Sequence, residues 1–175
     1  MASIRHALRG NAGNTPAETI RILVPVTGSD TDAKLLSYVG KIAQKKQAFI
    51  ILIYVVEVEQ ALPLDADLPE AITYGEHVLR EAQQIIQQAL DSKSCSIHTD
   101  LLQARSAGAA IVDEVSIQNA DLIIMSTSVS KRMGKRTCGE TTDTILRNAP
   151  CEVVILRGPM SDALLEELHM ETEAE

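Results

Sequence analysis

The chain's chemistry is concentrated between Asp121 and Thr142. The run Asp121-Leu-Ile-Ile-Met-Ser-Thr-Ser128 is apolar until it ends in small polar residues. That pattern reads as a buried parallel strand stopping at a crevice. The thirteen residues from Ser126 to Cys138 then carry Lys131, Arg132, Lys135 and Arg136, and Gly139 leads into Glu140-Thr141-Thr142. A glycine opening a helix leaves backbone N–H groups and the positive end of the helix dipole free to face an anion. Ser126, the four cations, Gly139, Thr141 and Thr142 are therefore the candidate phosphate contacts. The same residues also have a plainer reading. A charge run is commonly a solvated surface, Gly139 can be a turn residue, and Glu140 suits a helix N-terminus by charge alone.

Other reactive side chains form no constellation. Cys95, Cys138 and Cys151 lie far apart with no Cys-x-x-Cys, and His6, His77, His98 and His169 show no metal-ligand spacing. No metal site and no disulfide framework are expected. Cys138, beside a predicted helix start, is a candidate thiolate, and Cys151 is expected to pack in the sheet. There is no nucleophile elbow, no Walker lysine and no recognisable acid pair, so no catalytic residue is assigned. Thr27-Gly-Ser-Asp30 reads as a turn with a helix cap. Arg105 reads equally as a loop charge or a second cationic contact.

The elements needed to position these residues can be read along the chain. Ile20–Val26 is a predicted strand with Pro25 near its end, and Leu35, Leu36, Val39, Ile42 and Ala43 recur at helical spacing up to Lys45-Lys46. Ala48–Val56 is a continuous apolar run and should be a strand buried on both faces. A long helix is predicted from about Pro69 to Leu90, with Arg80, Glu81, Gln84 and Gln87 outward. A more polar strand near a sheet edge is expected over Cys95–Leu102, and a helix around Ala109–Val115. A strand over Asp121–Met125, a helix over Thr141–Arg147 and a last strand over Cys151–Leu156 follow. Alternation of this kind implies an α/β fold, a doubly wound parallel sheet with helices on both faces. Ligands of such sheets sit beyond the strand carboxyl ends where the winding reverses.

Composition narrows the function classes. The 175 residues are 45% hydrophobic with one Phe, three Tyr and no Trp, so the core is aliphatic. So few aromatics argue against single-strand nucleic-acid binding by stacking. The net charge is −8, but residues 161–175 hold six of the 24 acids and no Lys or Arg; the remainder has 16 basic and 18 acidic groups, a net of −2. No broad basic field is present, and no nucleic-acid partner is expected. No apolar run reaches the roughly 18 residues of a membrane span, and the first residues show no signal-peptide core; a cytoplasmic protein is expected. Residues 1–19 read as a flexible extension, 20–158 as one domain and 159–175 as an acidic tail. Leu164, Leu165 and Leu168 in that tail fit either a short amphipathic helix or a frayed terminus.

Four segments together resemble the universal stress protein family: Ile22-Leu-Val-Pro-Val26 followed by Gly-Ser, Ile51-Leu-Ile-Tyr-Val-Val56, Ala120-Asp-Leu-Ile-Ile-Met125 and Ile145-Leu-Arg-Asn-Ala-Pro-Cys-Glu-Val-Val154. The resemblance runs from about Ile20 to Arg157. It implies a five-stranded parallel sheet similar to the adenine nucleotide alpha hydrolase-like fold, and a homodimer paired through the last strand. It also implies a regulatory module rather than an efficient enzyme, with slow ATP hydrolysis in some members. One branch of the family binds ATP through Gly-x-x-Gly-x9-Gly-Ser/Thr. Here Ser126 and Val129 stand at the early glycines, Gly139 keeps the late one, and Glu140 replaces the hydroxyl residue. Thr27 stands where an aspartate is frequent. Carried over, the resemblance sets Thr27 and Val55 beside a base and the Gly139 region on the phosphates of ATP or a related nucleotide. Similarity of Gln103–Ile111 and the basic loop to transporter-associated members adds a second expectation, a ligand-free interaction module working with a membrane transporter.

Overall fold

The computed structural model describes residues 4–6, 19–44, 47–90, 95–127, 129–132 and 135–157, and side chains of 4–6 and 129–137 are not among the described features. The elements in order are β1 (Ile4–His6), β2 (Ile20–Pro25), α1 (Asp30–Ala43), β3 (Ala48–Glu57), α2 (Pro69–Ala89), β4 (Cys95–Ala104), α3 (Ala107–Gln118), β5 (Leu122–Thr127), β6 (Val129–Arg132), β7 (Lys135–Cys138), α4 (Glu140–Asn148) and β8 (Glu152–Arg157).

The main sheet has the order β1-β4-β3-β2-β5-β8. Its five strands from β4 to β8 run parallel, as the alternating pattern requires. The chain winds outward through β2, β3 and β4, then returns to place β5 against the other side of β2. The reversal therefore lies between β2 and β5. The Asp121 carboxylate there accepts the Arg21 N–H at 2.8 Å, and the Asp121 N–H donates to the Arg21 carbonyl at 2.9 Å. These two bonds register β5 against β2 at the start of both strands.

Apolar side chains fill both faces. On one, Leu35, Val39, Leu79 and Ile86 of α1 and α2 pack on Ile22, Ile50 and Ile124. On the other, Ile111, Val115 and Ile145 of α3 and α4 pack on Leu23, Ile51 and Ile123. Ile50 to Ile53 are all fully buried, which is why that run shows no alternation. On α2, the four polar positions Arg80, Glu81, Gln84 and Gln87 are exposed, as their spacing predicts.

Two features differ from the sequence expectation. Residues 4–6 of the expected flexible extension form β1, antiparallel to β4 with Ile4 opposite Gln103 and His6 opposite Leu101. β4 is thus the outermost parallel strand, as its polarity suggests, but β1 covers its edge. The expected cationic loop is a β-hairpin, β6 and β7, pairing Lys131 with Arg136 and Arg132 with Lys135. The two intervening positions, 133–134, lie outside the described residues, as do Lys45-Lys46, Ser128 and the acidic tail from 158 onward.

Candidate functional site

A cleft of about 320 Å³ opens at the carboxyl ends of β2, β3 and β5, where the winding reverses. Its size falls at the lower end of small-molecule clefts, roughly 300–1,000 Å³. Thr27, Val55, Ser126, Gly139, Thr141 and Thr142 all line it. These six residues come from four elements or their ends, and the parallel sheet brings them together as expected. Lys131, Arg132, Lys135 and Arg136 lie on the hairpin that leaves β5 just beyond the cleft, and their side chains fall outside the described features.

The three helix N-termini that adjoin the cleft differ. At α1 the N-cap Ser29 makes no side-chain cap bond. Instead the buried Asp32 carboxylate reaches back and accepts the N–H groups of Thr27 at 2.8 Å and Gly28 at 2.7 Å. The expected side-chain cap at Ser29 or Asp30 is thus absent, and Asp32 holds the turn that precedes the helix instead. Gly28 is at φ +77°, and a Cβ there would lie 2.5 Å from the Tyr74 hydroxyl oxygen. Glycine thus lets this turn form against α2. The Thr27 hydroxyl donates to Ser29 at 2.9 Å, so Thr27 is tied into its own turn.

At α3, Glu57 at the end of β3 accepts the Ala107 N–H through Oε1 at 2.7 Å, and Ser106 accepts the Ala109 N–H at 3.5 Å. A carboxylate of the chain itself thus sits on this dipole end. Arg105, just before, donates to the carbonyls of Val58 at 3.2 Å, Leu62 at 2.6 Å and Glu59. Arg105 accordingly clamps the loop after β3.

At α4, Gly139 is the N-cap with φ −58° and no side-chain cap bond. The first helical bond runs from the Asp143 N–H to the Gly139 carbonyl at 3.1 Å, so the preceding N–H groups have no intrahelical acceptor. A Cβ built on Gly139 meets nothing within 4 Å. Glycine is therefore not demanded here by backbone conformation or by protein packing. Thr142 is buried and its hydroxyl bonds that of Thr127 at 2.9 Å, tying the helix start to the end of β5. The half-buried Ser126 accepts from Thr31 at 3.2 Å. Tyr54 lines the cleft beside Val55, edge-on to Tyr74 with ring centroids 6.1 Å apart. Burial first, and then the neighbouring Tyr74, push its hydroxyl above the usual tyrosine pKa.

Asp32, Glu57, Tyr54 and Thr127 belong to the site's geometry but escape the sequence reading. Signals for two of them exist. Ser29-Asp-Thr-Asp32 has capping-box spacing, and Glu57 stands at the carboxyl end of a predicted parallel strand, where ligand-facing residues collect. Among the described residues, no group of three or more His, Cys, Asp or Glu side chains could hold a metal. Cys138 is exposed and free, and burial pushes the Cys151 thiol above its usual range, in keeping with packing in the sheet.

The model of the universal stress protein family matches residues 19–157. A universal stress protein of Methanocaldococcus jannaschii is 25% identical over 144 residues, 81% of this chain and 84% of that protein. Among solved structures, a universal stress protein from Archaeoglobus fulgidus aligns with a TM-score of 0.62 at 16% identity, covering 79% of this chain and 93% of that one. The Archaeoglobus fulgidus protein in complex with dAMP aligns at 0.59 and 17% identity, covering 78% and 96%. A universal stress protein in complex with cAMP aligns at 0.56 and 18%, covering 82% and 100%.

Proposed function

The chain belongs to the universal stress protein family, and from that premise we propose that it is a regulatory module that binds an adenine nucleotide, ATP or a related species, in the cleft between β2 and β5. The observation that carries this reading is the α4 N-terminus, which faces the cleft without a side-chain cap and with open space before Gly139. Free N–H groups at a helix start favour a phosphate. The hairpin register adds support. It sets Lys131 opposite Arg136 and Arg132 opposite Lys135, so the backbone gathers four cationic residues on two short adjacent strands next to the cleft. Relatives of the same fold are complexed with dAMP and cAMP. The apolar wall of Val55 and Tyr54 suits a base, and Thr141 lies at the phosphate end.

Binding rather than catalysis is the proposed activity, in the cytoplasm. Among the described residues no helix is long and apolar enough to cross a membrane. Among the described residues the last strand pairs with β5 alone, and its other edge is available to a second copy, so a homodimer through β8 is part of the reading. Calorimetric titration with ATP, ADP, AMP and cAMP tests it. Saturable binding of at least one is expected, and absence of heat and of any melting shift across the panel would remove the nucleotide.

One observation favours a second reading, a ligand-free interaction module that docks on a protein such as a transporter. Asp32 and Glu57 already occupy N–H groups on two sides of the cleft, as an anion would. That reading expects no response to any nucleotide and retention of the chain by its protein partner in their absence.

A further inference from the structure

Four side-chain hydroxyls form a chain along the rim of the cleft. Thr27 donates to Ser29 at 2.9 Å, the Ser29 and Thr31 oxygens lie 2.8 Å apart, and Thr31 donates to Ser126 at 3.2 Å. A hydroxyl has one proton to give. Thr31 gives its own to Ser126, so Ser29 is the donor of the middle link. All three bonds therefore run the same way, from Thr27 toward Ser126. The Asp32 Oδ1 atom stands behind the chain, at longer distances of 3.5 Å from the Thr27 hydroxyl and 3.4 Å from that of Ser29.

The two ends of the chain differ from its middle. Thr27 and Ser126 line the cleft, whereas Ser29 and Thr31 do not. Thr31 lies in the first turn of α1, which packs against β5, and its bond to Ser126 joins positions 95 residues apart. Ser126 accepts from Thr31, and its own proton has no acceptor among the described residues. A structural tie between α1 and β5 needs only that last bond. Three in series do more, because a hydroxyl that accepts becomes a stronger donor.

We propose that Thr31, with Ser29 behind it, is a positioning residue for ligand binding that fixes the Ser126 hydroxyl as a donor to an acceptor oxygen of the nucleotide. This rests on the nucleotide reading above. A serine hydroxyl rotates to suit its partners. The bond from Thr31 restricts that choice, since a proton turned toward Thr31 would meet another donor. Acceptor oxygens on an adenine nucleotide belong to its sugar and its phosphate, and either satisfies a fixed donor. A group that can only donate would face Ser126 without an acceptor and is disfavoured. The contact involves no charge on the protein side, which separates it from the cations of the hairpin.

Titration calorimetry of the full chain with ATP, AMP and adenosine tests this in a double-mutant cycle. Thr31→Val keeps the branched shape and deletes the hydroxyl; Ser126→Ala deletes the donor. Each single change should weaken nucleotide binding about threefold to tenfold, the range of one neutral hydrogen bond. Thr31→Val should then add no further loss in Ser126→Ala protein, and Thr31→Ser should restore the parent affinity. A loss shared by adenosine assigns the oxygen to the sugar, and a loss confined to ATP and AMP assigns it to the phosphate. Full affinity in either single variant would overturn the proposal. So would an equal further loss when Thr31→Val is added to Ser126→Ala, which would make Thr31 a tie between α1 and β5 and nothing more. An unaltered chain that binds none of the nucleotides would instead remove the nucleotide reading, and this inference with it.

Discussion

The two sides of the cleft treat the same physical problem differently. On the β2/β3 side, backbone N–H groups are taken up by the chain's own carboxylates, Asp32 on those of Thr27 and Gly28 in the turn before α1, and Glu57 on that of Ala107 at the start of α3. On the β5 side, α4 begins at an uncapped glycine beside a hairpin with four cations. Carboxylates bonded to backbone N–H groups stabilise the fold and repel anions; an open start at glycine gives up only roughly a few tenths of a kcal/mol against a side-chain cap and leaves N–H groups for an anion. In the proposed function the phosphate sits at α4 and the apolar or hydrogen-bond-donating part of the ligand near Val55 and Glu57.

The largest effect should come from removing a carboxylate of the closed side. Asp32→Ala leaves two N–H groups without their acceptor, at a cost of about 1–3 kcal/mol each. At about 2–4 °C per kcal/mol for a chain of this size, thermal unfolding should show Tm lower by about 4–24 °C. A fall under 2 °C would mean that water replaces the carboxylate. Next is conversion of the open side into a closed one. Gly139→Asp has room for its Cβ and supplies a cap, so stability should hold or rise by roughly a few tenths of a kcal/mol. Nucleotide affinity in calorimetry should drop at least about tenfold, or 1.4 kcal/mol. Unchanged affinity would move the phosphate elsewhere.

Smaller is the effect of the hairpin charges. Charges in solvent act through a field screened over about 8–10 Å at physiological salt. Lys131→Ala with Arg132→Ala should weaken binding severalfold at low salt and much less at high salt; equal loss at both would point to a direct contact. The smallest effect should follow Glu57→Gln, which keeps an acceptor for Ala107 and deletes the negative charge. Anion binding should tighten by about twofold to threefold with Tm within about 2 °C, and weaker binding would show that Glu57 holds the ligand.

The open side was the more legible in the sequence. Gly139 and the adjoining threonines announce a helix start, and the apolar run ending at Ser126 announces the crevice, because both are local patterns. The closed side depends on where carboxylates land after folding. Glu57 meets Ala107 across 50 positions of sequence, which no window reveals. Asp32 is local and matches a capping-box spacing, yet its acceptor role goes to two turn residues upstream of the cap. The parallel sheet followed from Ala48–Val56 and its neighbours, since strands buried on both faces must be continuously apolar. β1 did not, because three residues carry no period and Ile4-Arg5-His6 has strand character only against the edge of β4. The hairpin was read as a loop because its charges hide the β-branched Val129 and Thr137 at its base.

Backbone amide resonances of isotope-labelled protein, followed during titration with AMP, probe the asymmetry of the cleft at its source. The N–H signals of Glu140, Thr141 and Thr142 should move with saturation, and those of Thr27, Gly28 and Ala107, already bonded to carboxylates, should move far less. Shifts led by Thr27, Gly28 and Ala107, or none at α4 at saturating AMP, would contradict the assignment of α4 as the phosphate seat.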